Sequence, residues 1–342
     1  MTRDRISVVI PCYNGGRFLD QALQSVRKQT RAVDEILVVD DGSSDDSVEV
    51  AHRAGVRCVS LEHNLGPGAS RNRGISASSG EIIAFLDADD YWMPNHISEV
   101  ASLLERYPES SVAFSRILRF GDDDRISPDS LPEGPPLNMF WRLIEENIVA
   151  QSSAVVRRDA LLRVGCYNTT FRYSEDYDLW LRMARRYSFV CTNAVTAGYR
   201  VHTSQASRNV TDMLQGRWQV KHHFWRDAKV KETAAFVAQL EVQMLTAWED
   251  GLRSAWWDRN DIQLRAALEI HGIVPRSGPT YRRWMRRLQL AWQSWLGLAE
   301  IWVRLPSPLQ RLLRPALDYR LGSRGARAPL PDHLPPPHDE PA

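Results

Sequence analysis

The stretch Ile82-Ile83-Ala84-Phe85-Leu86-Asp87-Ala88-Asp89-Asp90 places three carboxylates directly after an apolar run. An apolar run this short predicts a buried β-strand. The carboxylates would then lie at the carboxyl edge of a sheet, which is where open α/β sheets bind their ligands. Because grouped carboxylates repel one another, we expect a divalent cation at this edge, and phosphates bound to that cation.

The pattern on the N-terminal side extends this strand into a sheet. Short apolar runs occur at 6–10, 35–39, 56–61 and 82–86, and stretches with helical spacing lie between them at 18–29, 45–54 and 69–77. This βαβαβαβ order predicts an α/β fold with a mostly parallel, doubly wound, Rossmann-like sheet flanked by helices.

The pattern is looser after residue 90. The spacing predicts strands over 111–119 and 150–156 and helices over 95–106, 158–164 and 175–186. The segment Gly121 to Pro136 is rich in Asp, Ser, Pro and Gly, so we expect a surface loop there and a candidate lid on the acceptor side. Tyr199 to Asn209 is a polar segment rich in His and Ser.

The composition is that of a soluble globular protein. Apolar residues make up 43% of the 342 residues and charged residues 25%, and the net charge of +1 does not indicate a nucleic-acid partner. The four cysteines are scattered without zinc spacing, which favours a reducing compartment. There is no signal-peptide pattern and no apolar run long enough to span a membrane, so we expect a cytoplasmic protein.

Polar side chains that follow the first two strands are candidates for nucleotide binding. Tyr13 and Asn14 come after the first strand, where they could stack on a nucleobase and hydrogen-bond to it. Asp40 ends the second strand, where it could accept a hydrogen bond from a base imide or a ribose hydroxyl. Both segments could equally be ordinary turns or helix caps.

Further candidates lie later in the chain, each with a structural alternative. Arg71 follows a glycine-containing helix start that suits an anion, although the segment is no known phosphate fingerprint. Asp87 and Asp89 form a D-x-D pattern, which could be a solvated acidic turn. Asp176 could project into the cleft as a general base, or it could be one of the acids favoured in a first helical turn. His202 could bind metal or phosphate, or be structural.

Five motifs taken in order resemble those of family 2 glycosyltransferases, over residues 5 to about 210. They are Val8-Val9-Ile10-Pro11-Cys12-Tyr13-Asn14, Val38-Val39-Asp40-Asp41-Gly42-Ser43-Ser44-Asp45, Asn64-Leu65-Gly66 with Arg71-Asn72, Phe85-Leu86-Asp87-Ala88-Asp89-Asp90, and Glu175-Asp176-Tyr177-Asp178-Leu179-Trp180-Leu181-Arg182. The resemblance implies a GT-A fold and transfer of a sugar from a nucleotide-diphosphate donor with inversion. One departure, Gly165-Cys166-Tyr167-Asn168, falls on the acceptor side.

The resemblance also implies roles for individual residues. Pro11, Tyr13 and Asp40 would hold the nucleobase, and Arg71 would contact the nucleobase or the diphosphate. Asp87 would contact the ribose and the shell of the metal, Asp89 would bind Mg²⁺ or Mn²⁺, and His202 would contact the metal or the diphosphate. Asp176 would be the catalytic base. We also expect Asn14 and Glu175 to take part in donor binding.

The C-terminal third differs in composition from the rest. Nine of the twelve tryptophans lie between Trp218 and Trp302, and residues 281–327 carry ten arginines against two acids. We therefore predict a catalytic domain over 1–214, a helical Trp- and Arg-rich extension over 215–324, and a disordered Pro-rich tail over 325–342. The extension could lie on an anionic membrane surface at the inner face of the membrane, pack on the catalytic domain, or form a homodimer.

The sequence supports one function above two others. We expect a metal-dependent enzyme that moves a sugar from a nucleotide-diphosphate sugar, a UDP-sugar before others, to a glycan or lipid-linked acceptor in surface polysaccharide or glycolipid assembly. The alternatives are a non-catalytic nucleotide-sugar-binding module and a nucleotidyltransferase. The first would be expected to have lost Asp89 or Asp176, and the second to carry a Gly-, Arg- and Lys-rich loop after the first strand.

Overall fold

The computed structural model describes residues 3–122, 125–127, 130–132, 136–203, 205 and 210–244. The chain divides into two compact units, one formed by Met1–Leu252 with Asp261–Val274 and the other by Arg253–Asn260 with Pro275–Ala342. All elements below belong to the first unit.

The first half of the sheet is parallel. Its strands lie in the order β3-β2-β1-β4 and comprise β1 Ile6–Cys12, β2 Glu35–Asp40, β3 Arg57–Ser60 and β4 Ile82–Phe85. β1 pairs with both β2 and β4, and the core side chains of all three strands are buried. These strands are rich in Val and Ile, which pack well on a sheet that is covered on both faces.

The second half of the sheet is mixed. It comprises β5 Tyr91–Trp92, β6 Ser110–Gly121, β7 Arg125–Ser127, β8 Ala154–Arg157 and β9 Ser188–Val201. β8 is antiparallel to β4 and to β6, whereas β6 and β9 run parallel over their whole length. The complete order is β3-β2-β1-β4-β8-β6-β9-β5, with β7 paired to β6.

Helices pack against this sheet. They are α1 Gly16–Arg27, α2 Ser47–Arg53, α3 Pro67–Ala77, α4 His96–Arg106, α5 Phe140–Glu145, α6 Arg158–Arg163, α7 Glu175–Ala184 and α8 Val210–Lys231. α1 and α4 present stripes of buried apolar side chains to the sheet, as their spacing predicts. The predicted α/β fold with helices flanking the sheet is confirmed, whereas the sheet as a whole is mixed, and its continuous parallel part is β3-β2-β1-β4.

The middle of the chain holds two strands that the sequence did not predict. Tyr199 to Val201 belong to strand β9, which begins at Ser188 and was not predicted. The loop predicted between Gly121 and Pro136 contains the short strand β7, which pairs with β6. In both places polar residues interrupt the apolar pattern, and pairing with β6 stabilises the strand in spite of it.

Several predictions concern residues beyond the described part. Of the extension predicted over 215–324, only residues up to 244 are described. Its Arg-rich part from residue 281, the membrane or dimer contact proposed for it and the Pro-rich tail lie outside the described residues. α8 runs continuously across residues 214 and 215, where the domain boundary was predicted. Within the described ranges, no helix has the length and apolarity needed to cross a bilayer.

Candidate active site

The site lies at the carboxyl ends of β1, β2 and β4. In the register of the sheet Cys12 stands beside Asp40, and Val9 beside Phe85, two residues before Asp87. The strand ends therefore bring Pro11 and Asp40 to the same edge as the D-x-D motif. A side chain added at Gly15 would touch Ala88, 3.3 Å away, so the loop after β1 lies directly against the motif.

The first two loops form one hydrogen-bonded unit. Asn14 adopts a left-handed backbone conformation (φ 49°), which asparagine tolerates better than most residues. Its backbone N–H donates to Ser43 Oγ at 2.9 Å, and its side-chain oxygen accepts from the backbone N–H of Ser44 at 2.8 Å. Asp40 is buried and accepts weakly from the N–H of Ser43 at 3.3 Å, while the ring of Tyr13 is 52% exposed. This arrangement leaves an aromatic surface open at the edge of the sheet.

Asp41 organises the loop that leads into α3. Its two carboxylate oxygens accept hydrogen bonds from the backbone N–H groups of Leu65 (2.9 Å) and Gly66 (2.8 Å). Gly66 has a φ of 90°, which favours glycine there. No role was predicted for Asp41, although its place in the Asp-Asp-Gly-Ser turn is a signal for a structural one.

The three aspartates of the motif have three different environments. Asp90 is buried and accepts from Ser152 Oγ at 2.5 Å and from the backbone N–H of Arg200 at 2.9 Å. Burial raises its pKa well above the usual carboxyl range, and the charges of Asp89 and Asp87 add to the effect. Ser152 Oγ also accepts from the backbone N–H of Asp87 at 3.1 Å. Asp90 is therefore a structural anchor that fixes the position of the other two.

Arg200 of β9 holds the motif from the other side. Its Nε donates to the backbone carbonyl of Asp89 at 2.8 Å. Its guanidinium lies over the rings of Phe18 and Phe120, with 4.5 Å to each centroid. A cation between two aromatic faces is stabilised by both rings. Since β9 was not predicted, sequence reasoning missed this residue.

Asp89 and His202 meet at the partly exposed end of the motif. Asp89 Oδ2 and His202 Nε2 are 3.0 Å apart, and their side chains are 27% and 18% exposed. Burial raises the pKa of Asp89, and repulsion from Asp87 raises it further. Among the residues that the structure describes, no three His, Cys, Asp or Glu side chains form a metal-binding group. One oxygen and one nitrogen ligand nevertheless fit Mg²⁺ or Mn²⁺, which commonly take their remaining ligands from phosphates and water.

A buried arginine links Asp87 of the D-x-D motif to helix α7. Arg71 donates from Nη2 to Asp87 Oδ1 and from Nη1 to Glu175 Oε1, both at 2.6 Å, and only 5% of its side chain is exposed. Its guanidinium lies 5.5 Å from the ring centroid of Tyr167. Both terminal nitrogens are thus bound within the protein, whereas the buried Nε has no hydrogen-bond partner among the described groups. This geometry makes Arg71 a positioning residue for Asp87 and α7.

The acids at the start of α7 point to three different partners. Glu175 pairs with Arg71, Asp178 pairs with Arg182 at 2.7 Å, and Asp176 Oδ2 accepts weakly from Asn147 Nδ2 at 3.3 Å. Successive residues of a helix are turned by about 100°, which separates the three directions. Of the three, Asp176 alone is not bound to an arginine by a hydrogen bond or ion pair of the described residues, and so its carboxylate can accept a proton.

Burial sets the titration of this helix start. Burial raises the pKa of Glu175 to about 7, against the opposing effect of Arg71 and with a contribution from the charge of Asp176. Burial also raises the pKa of Asp176, while Arg71, Asn147 and Arg217 lower it. A base with a pKa above the ordinary aspartate value accepts protons more readily near neutral pH.

The segment that departs from the family pattern forms the wall behind Arg71. Asn72 of α3 accepts from the backbone N–H of Tyr167 at 2.8 Å and donates to its carbonyl at 2.9 Å. The hydroxyl of Tyr167 accepts from Gln151 Nε2 at 2.8 Å. The tyrosine is buried, so the departure at 165–168 supports the arginine and presents no side chain of Tyr167 to solvent.

Comparisons with known proteins agree with this geometry. The sequence model described as Glycosyl transferase family 2 matches residues 7–165, which contain the carboxyl ends of β1, β2 and β4. AmsE, a glycosyltransferase of amylovoran biosynthesis from Erwinia amylovora, is 30% identical over 185 residues, which cover 52% of this chain and 68% of AmsE. The chain belongs to glycosyl transferase family 2.

Other relatives of this family 2 glycosyltransferase come from sequence and structure. WfaP from Escherichia coli, a UDP-Glc:alpha-D-GlcNAc-diphosphoundecaprenol beta-1,3-glucosyltransferase, is 29% identical over 210 residues, covering 60% of this chain and 80% of WfaP. The S. aureus TarS 1-349 structure in complex with UDP-GlcNAc superposes with a TM-score of 0.60 at 18% identity, over 80% of this chain and 81% of TarS 1-349.

A second solved structure confirms the fold alone. The mannosyltransferase PcManGT from Pyrobaculum calidifontis, solved with GDP-Man and Mn²⁺, has a TM-score of 0.55 and 19% identity over 83% of each chain. The resemblance to the family stated from the motifs is confirmed, and the chain is a glycosyltransferase. The roles of the individual site residues stay predictions.

Proposed function

We propose that this glycosyltransferase transfers a sugar from a UDP-sugar to a hydroxyl group of a diphosphate-linked glycan acceptor, with inversion at the anomeric carbon, in surface polysaccharide or glycolipid assembly. The observation that carries the proposal is the Arg71 bridge, which joins Asp87 of the donor edge to the helix that carries Asp176. The UDP-GlcNAc in TarS 1-349 and the UDP-Glc donor in the name of WfaP support the choice of nucleotide.

The first two loops form the nucleotide end of the donor site. Tyr13 offers an exposed ring on which a base can stack, and Asp40 offers a carboxylate to its imide N–H. Pro11 and Asn14 shape the same loop, and Asn14 also fixes the neighbouring turn. Asp87 lies next along the edge of the sheet, where its carboxylate can accept a hydrogen bond from a ribose hydroxyl while Arg71 holds the carboxylate in place.

The diphosphate end lies at Asp89. Asp89 and His202 would hold Mg²⁺ or Mn²⁺, which when bound would neutralise charge on the departing diphosphate. The Mn²⁺ in PcManGT supports this assignment. Arg200 keeps the main chain of Asp89 fixed through its carbonyl, so the carboxylate does not have to reorganise during the reaction.

Asp176 is the proposed catalytic base. The acceptor oxygen forms a bond to the anomeric carbon while the bond from that carbon to the diphosphate oxygen breaks on the opposite face. The proton of the acceptor hydroxyl passes to Asp176. A single displacement of this kind inverts the anomeric configuration, and a positioned base contributes roughly 10²–10⁴-fold to the rate.

The acceptor is proposed from the relatives and from the chemistry of the base. WfaP is named for an acceptor whose sugar is linked through a diphosphate to a lipid, and AmsE for the biosynthesis of a polysaccharide. A hydroxyl on such a sugar is the group that Asp176 would deprotonate.

A donor screen tests the proposal. Purified protein is incubated with Mn²⁺ or Mg²⁺ and with UDP-, GDP- and dTDP-sugars in turn, and release of the free nucleotide is followed. We expect slow release from a UDP-sugar, and we expect EDTA to abolish it. Release from a GDP-sugar alone would overturn the nucleotide assignment, and metal-independent release would overturn the cation assignment.

The same screen addresses the non-catalytic alternative. A nucleotide-sugar-binding module would be stabilised against heat by one nucleotide and would release nothing from any donor, even with a diphosphate-linked glycan present. The proposed enzyme releases nucleotide faster when that acceptor is added, because the acceptor oxygen replaces water as the nucleophile.

A further inference from the structure

Within the described part of the chain, α8 carries a buried lysine that has no carboxylate bound to it. Lys221 is only 6% exposed, and none of the hydrogen bonds or ion pairs of the described residues involves its ammonium group. Its nearest characterised contact is the ring of Trp218, whose centroid lies 4.8 Å from Nζ. A buried charge without a partner costs stability, so such a group is rarely kept for packing alone.

A second cation lies one turn earlier. Arg217 is four residues before Lys221, so the two side chains project from the same side of the helix. Burial, and after it the positive charge of Arg217, lower the pKa of Lys221 to about 7. The two cations are therefore close enough to repel each other, and an anion bound between them would remove that repulsion.

α8 places this pair beside the proposed base. Gly216 packs against Tyr173 and Ser174, with 3.0 Å from an added Cβ to the carbonyl oxygen of Tyr173; these two residues directly precede Glu175 and Asp176. At the other end Phe224 packs on Phe140 of α5, with 5.3 Å between ring centroids. The segment between these two contacts carries both cations.

No carboxylate of the described residues forms an ion pair with Arg217 or Lys221. Glu145 and Glu146 at the end of α5 attract Lys221, but both are exposed, and Glu145 pairs with Arg142 at 3.3 Å. Arg217 acts electrostatically on Asp176 and lowers its pKa, against the larger effect of burial. The Asp176 carboxylate thus lies within electrostatic range of Arg217, and among the described residues it forms no ion pair with that arginine.

We propose that Arg217 and Lys221 form the acceptor subsite, where they bind the phosphate or diphosphate group through which the acceptor sugar is linked. The inference rests on the proposed function, because it assumes that the acceptor hydroxyl is delivered to Asp176. In the proposed function the donor diphosphate is bound through the cation at Asp89, whereas α8 packs against the residues that precede Glu175. The phosphate groups of the two substrates would thus be bound at separate sites.

Binding of acceptor analogues tests the subsite. The protein is first saturated with UDP and Mg²⁺, so that the donor site is filled. It is then titrated calorimetrically with geranyl diphosphate and, separately, with N-acetylglucosamine 1-phosphate. We expect Lys221→Met and Arg217→Gln each to weaken binding of at least one probe by about tenfold or more, since each removes a charge-assisted contact.

Matched controls exist on the same helix. Lys229 is exposed and also contacts a tryptophan, with 4.4 Å from Nζ to the ring centroid of Trp225, so Lys229→Met removes the same charge and the same kind of contact. Arg226→Gln is the exposed control for Arg217. Dependence on Lys221 with the prenyl compound alone assigns the subsite to lipid-linked acceptors, and dependence with both probes assigns it to phosphate on any glycan. Equal binding by Lys221→Met and Lys229→Met, or no binding of either probe to the unaltered protein, would overturn the subsite.

Thermal stability gives an independent readout of opposite sign. The pKa of Lys221 is lowered in the folded state, so between about 7 and 10.5 the unfolded chain binds more protons and stability rises with pH. Below pH 7 the full cost of the buried charge is present. Lys221→Met should therefore raise the melting temperature at pH 7 while it weakens acceptor binding. A lower melting temperature of Lys221→Met would indicate that the lysine has a packing role, and would overturn the inference. Failure of the unaltered protein to bind UDP would instead contradict the proposed function.

Discussion

Three acids that lie within four residues of the chain have three different roles because a helix turns between them. Glu175 completes the pair of carboxylates around Arg71, Asp178 binds Arg182, and Asp176 remains available to a substrate. The arginine of the Asp178 pair also donates to the carbonyl groups of Val164 and Cys166, at 2.6 and 2.7 Å. Side-chain direction decides which acid pairs with an arginine and which acid is left for the proposed role of base.

Asp176→Asn should abolish transfer and leave donor binding intact. The amide cannot accept the proton of the acceptor hydroxyl, so we expect kcat to fall by roughly 10²–10⁴-fold, while the affinity for UDP measured by calorimetry changes little. Asp178→Asn is the matched control in the same helical turn. It should weaken the Arg182 pair and lower stability by about 1–3 kcal/mol, with a much smaller effect on kcat. Equal rate losses in the two variants would argue against Asp176 as the base.

The rate of transfer should fall on the acidic side at a pH above the ordinary aspartate range. Asp176 must be ionised to act, and burial raises its pKa, so activity is present at high pH and lost as the pH falls through the raised pKa. Glu175, whose pKa burial raises to about 7, is coupled to it, so the two titrate as a pair. A pH profile of kcat/KM measures this fall of the rate at low pH, which is the acidic limb of the profile.

Asn147 provides the check on that limb. Its amide donates to Asp176 Oδ2 and lowers the pKa of that carboxyl. Asn147→Ala should therefore move the acidic limb to higher pH by a fraction of a unit, of the order of half a unit for one hydrogen bond. A limb that stays in place in the variant, or that lies near pH 4 in the unaltered protein, would contradict the assignment.

At the scale of elements, α3 determines how accurately Arg71 is placed. The helix begins after Gly66 with Pro67 in its first turn, where proline is favoured, and it lies close to the sheet because Gly74 has no side chain. A Cβ added at Gly74 would stand 2.3 Å from Val9 Cγ1 and 3.3 Å from Val39 Cγ2. These valines are stiff and buried, so the helix would have to move away.

Gly74→Ala should lower stability and activity together. Overpacking of this kind typically costs about 1–3 kcal/mol, and a displaced α3 would shift the guanidinium of Arg71 away from Asp87. Thermal unfolding and the rate of donor turnover measure the two effects. Arg73→Ala, on the exposed side of the same helix, is the control and should change stability by no more than about 0.5 kcal/mol. A Gly74→Ala protein with unaltered melting temperature would mean that helix and sheet are not closely packed.

At the scale of the whole molecule, binding of the donor nucleotide and its cation should stabilise the folded protein. In the proposed function UDP with Mn²⁺ binds only the native arrangement of β1, β2, β4 and β9. It should then raise the melting temperature by about 5 °C or more at a hundredfold excess over its dissociation constant. EDTA should remove most of this rise. With UDP and Mn²⁺ present, the melting temperature of Asp89→Ala should rise only as little as that of the unaltered protein does in EDTA. A rise as large as that of the unaltered protein with UDP and Mn²⁺ would argue against Asp89 as a metal ligand.

The sequence by itself determined the first half of the molecule. β1, β2 and β4 are short apolar runs that end in polar residues, and each of these signals is local: a run of Val and Ile, a helical stripe, an acid after a strand. For the same reason the helix that carries Asp176 was predicted to start at Glu175, where the structure also starts it. The acids of the site could be named because the carboxyl ends of parallel strands meet at one edge.

Only the tertiary structure decided which of these side chains meet. Arg71 binds carboxylates that lie 16 and 104 positions further along the chain, and Arg200 reaches Asp89 across 111 positions. β9 was missed because its pattern is interrupted and its stability comes from pairing with β6, whose register shifts along the way. The burial of Lys221 is equally invisible in the sequence, where it stands in an ordinary polar helix. Contacts between distant segments depend on how the elements pack, and periodicity along the chain carries no record of them.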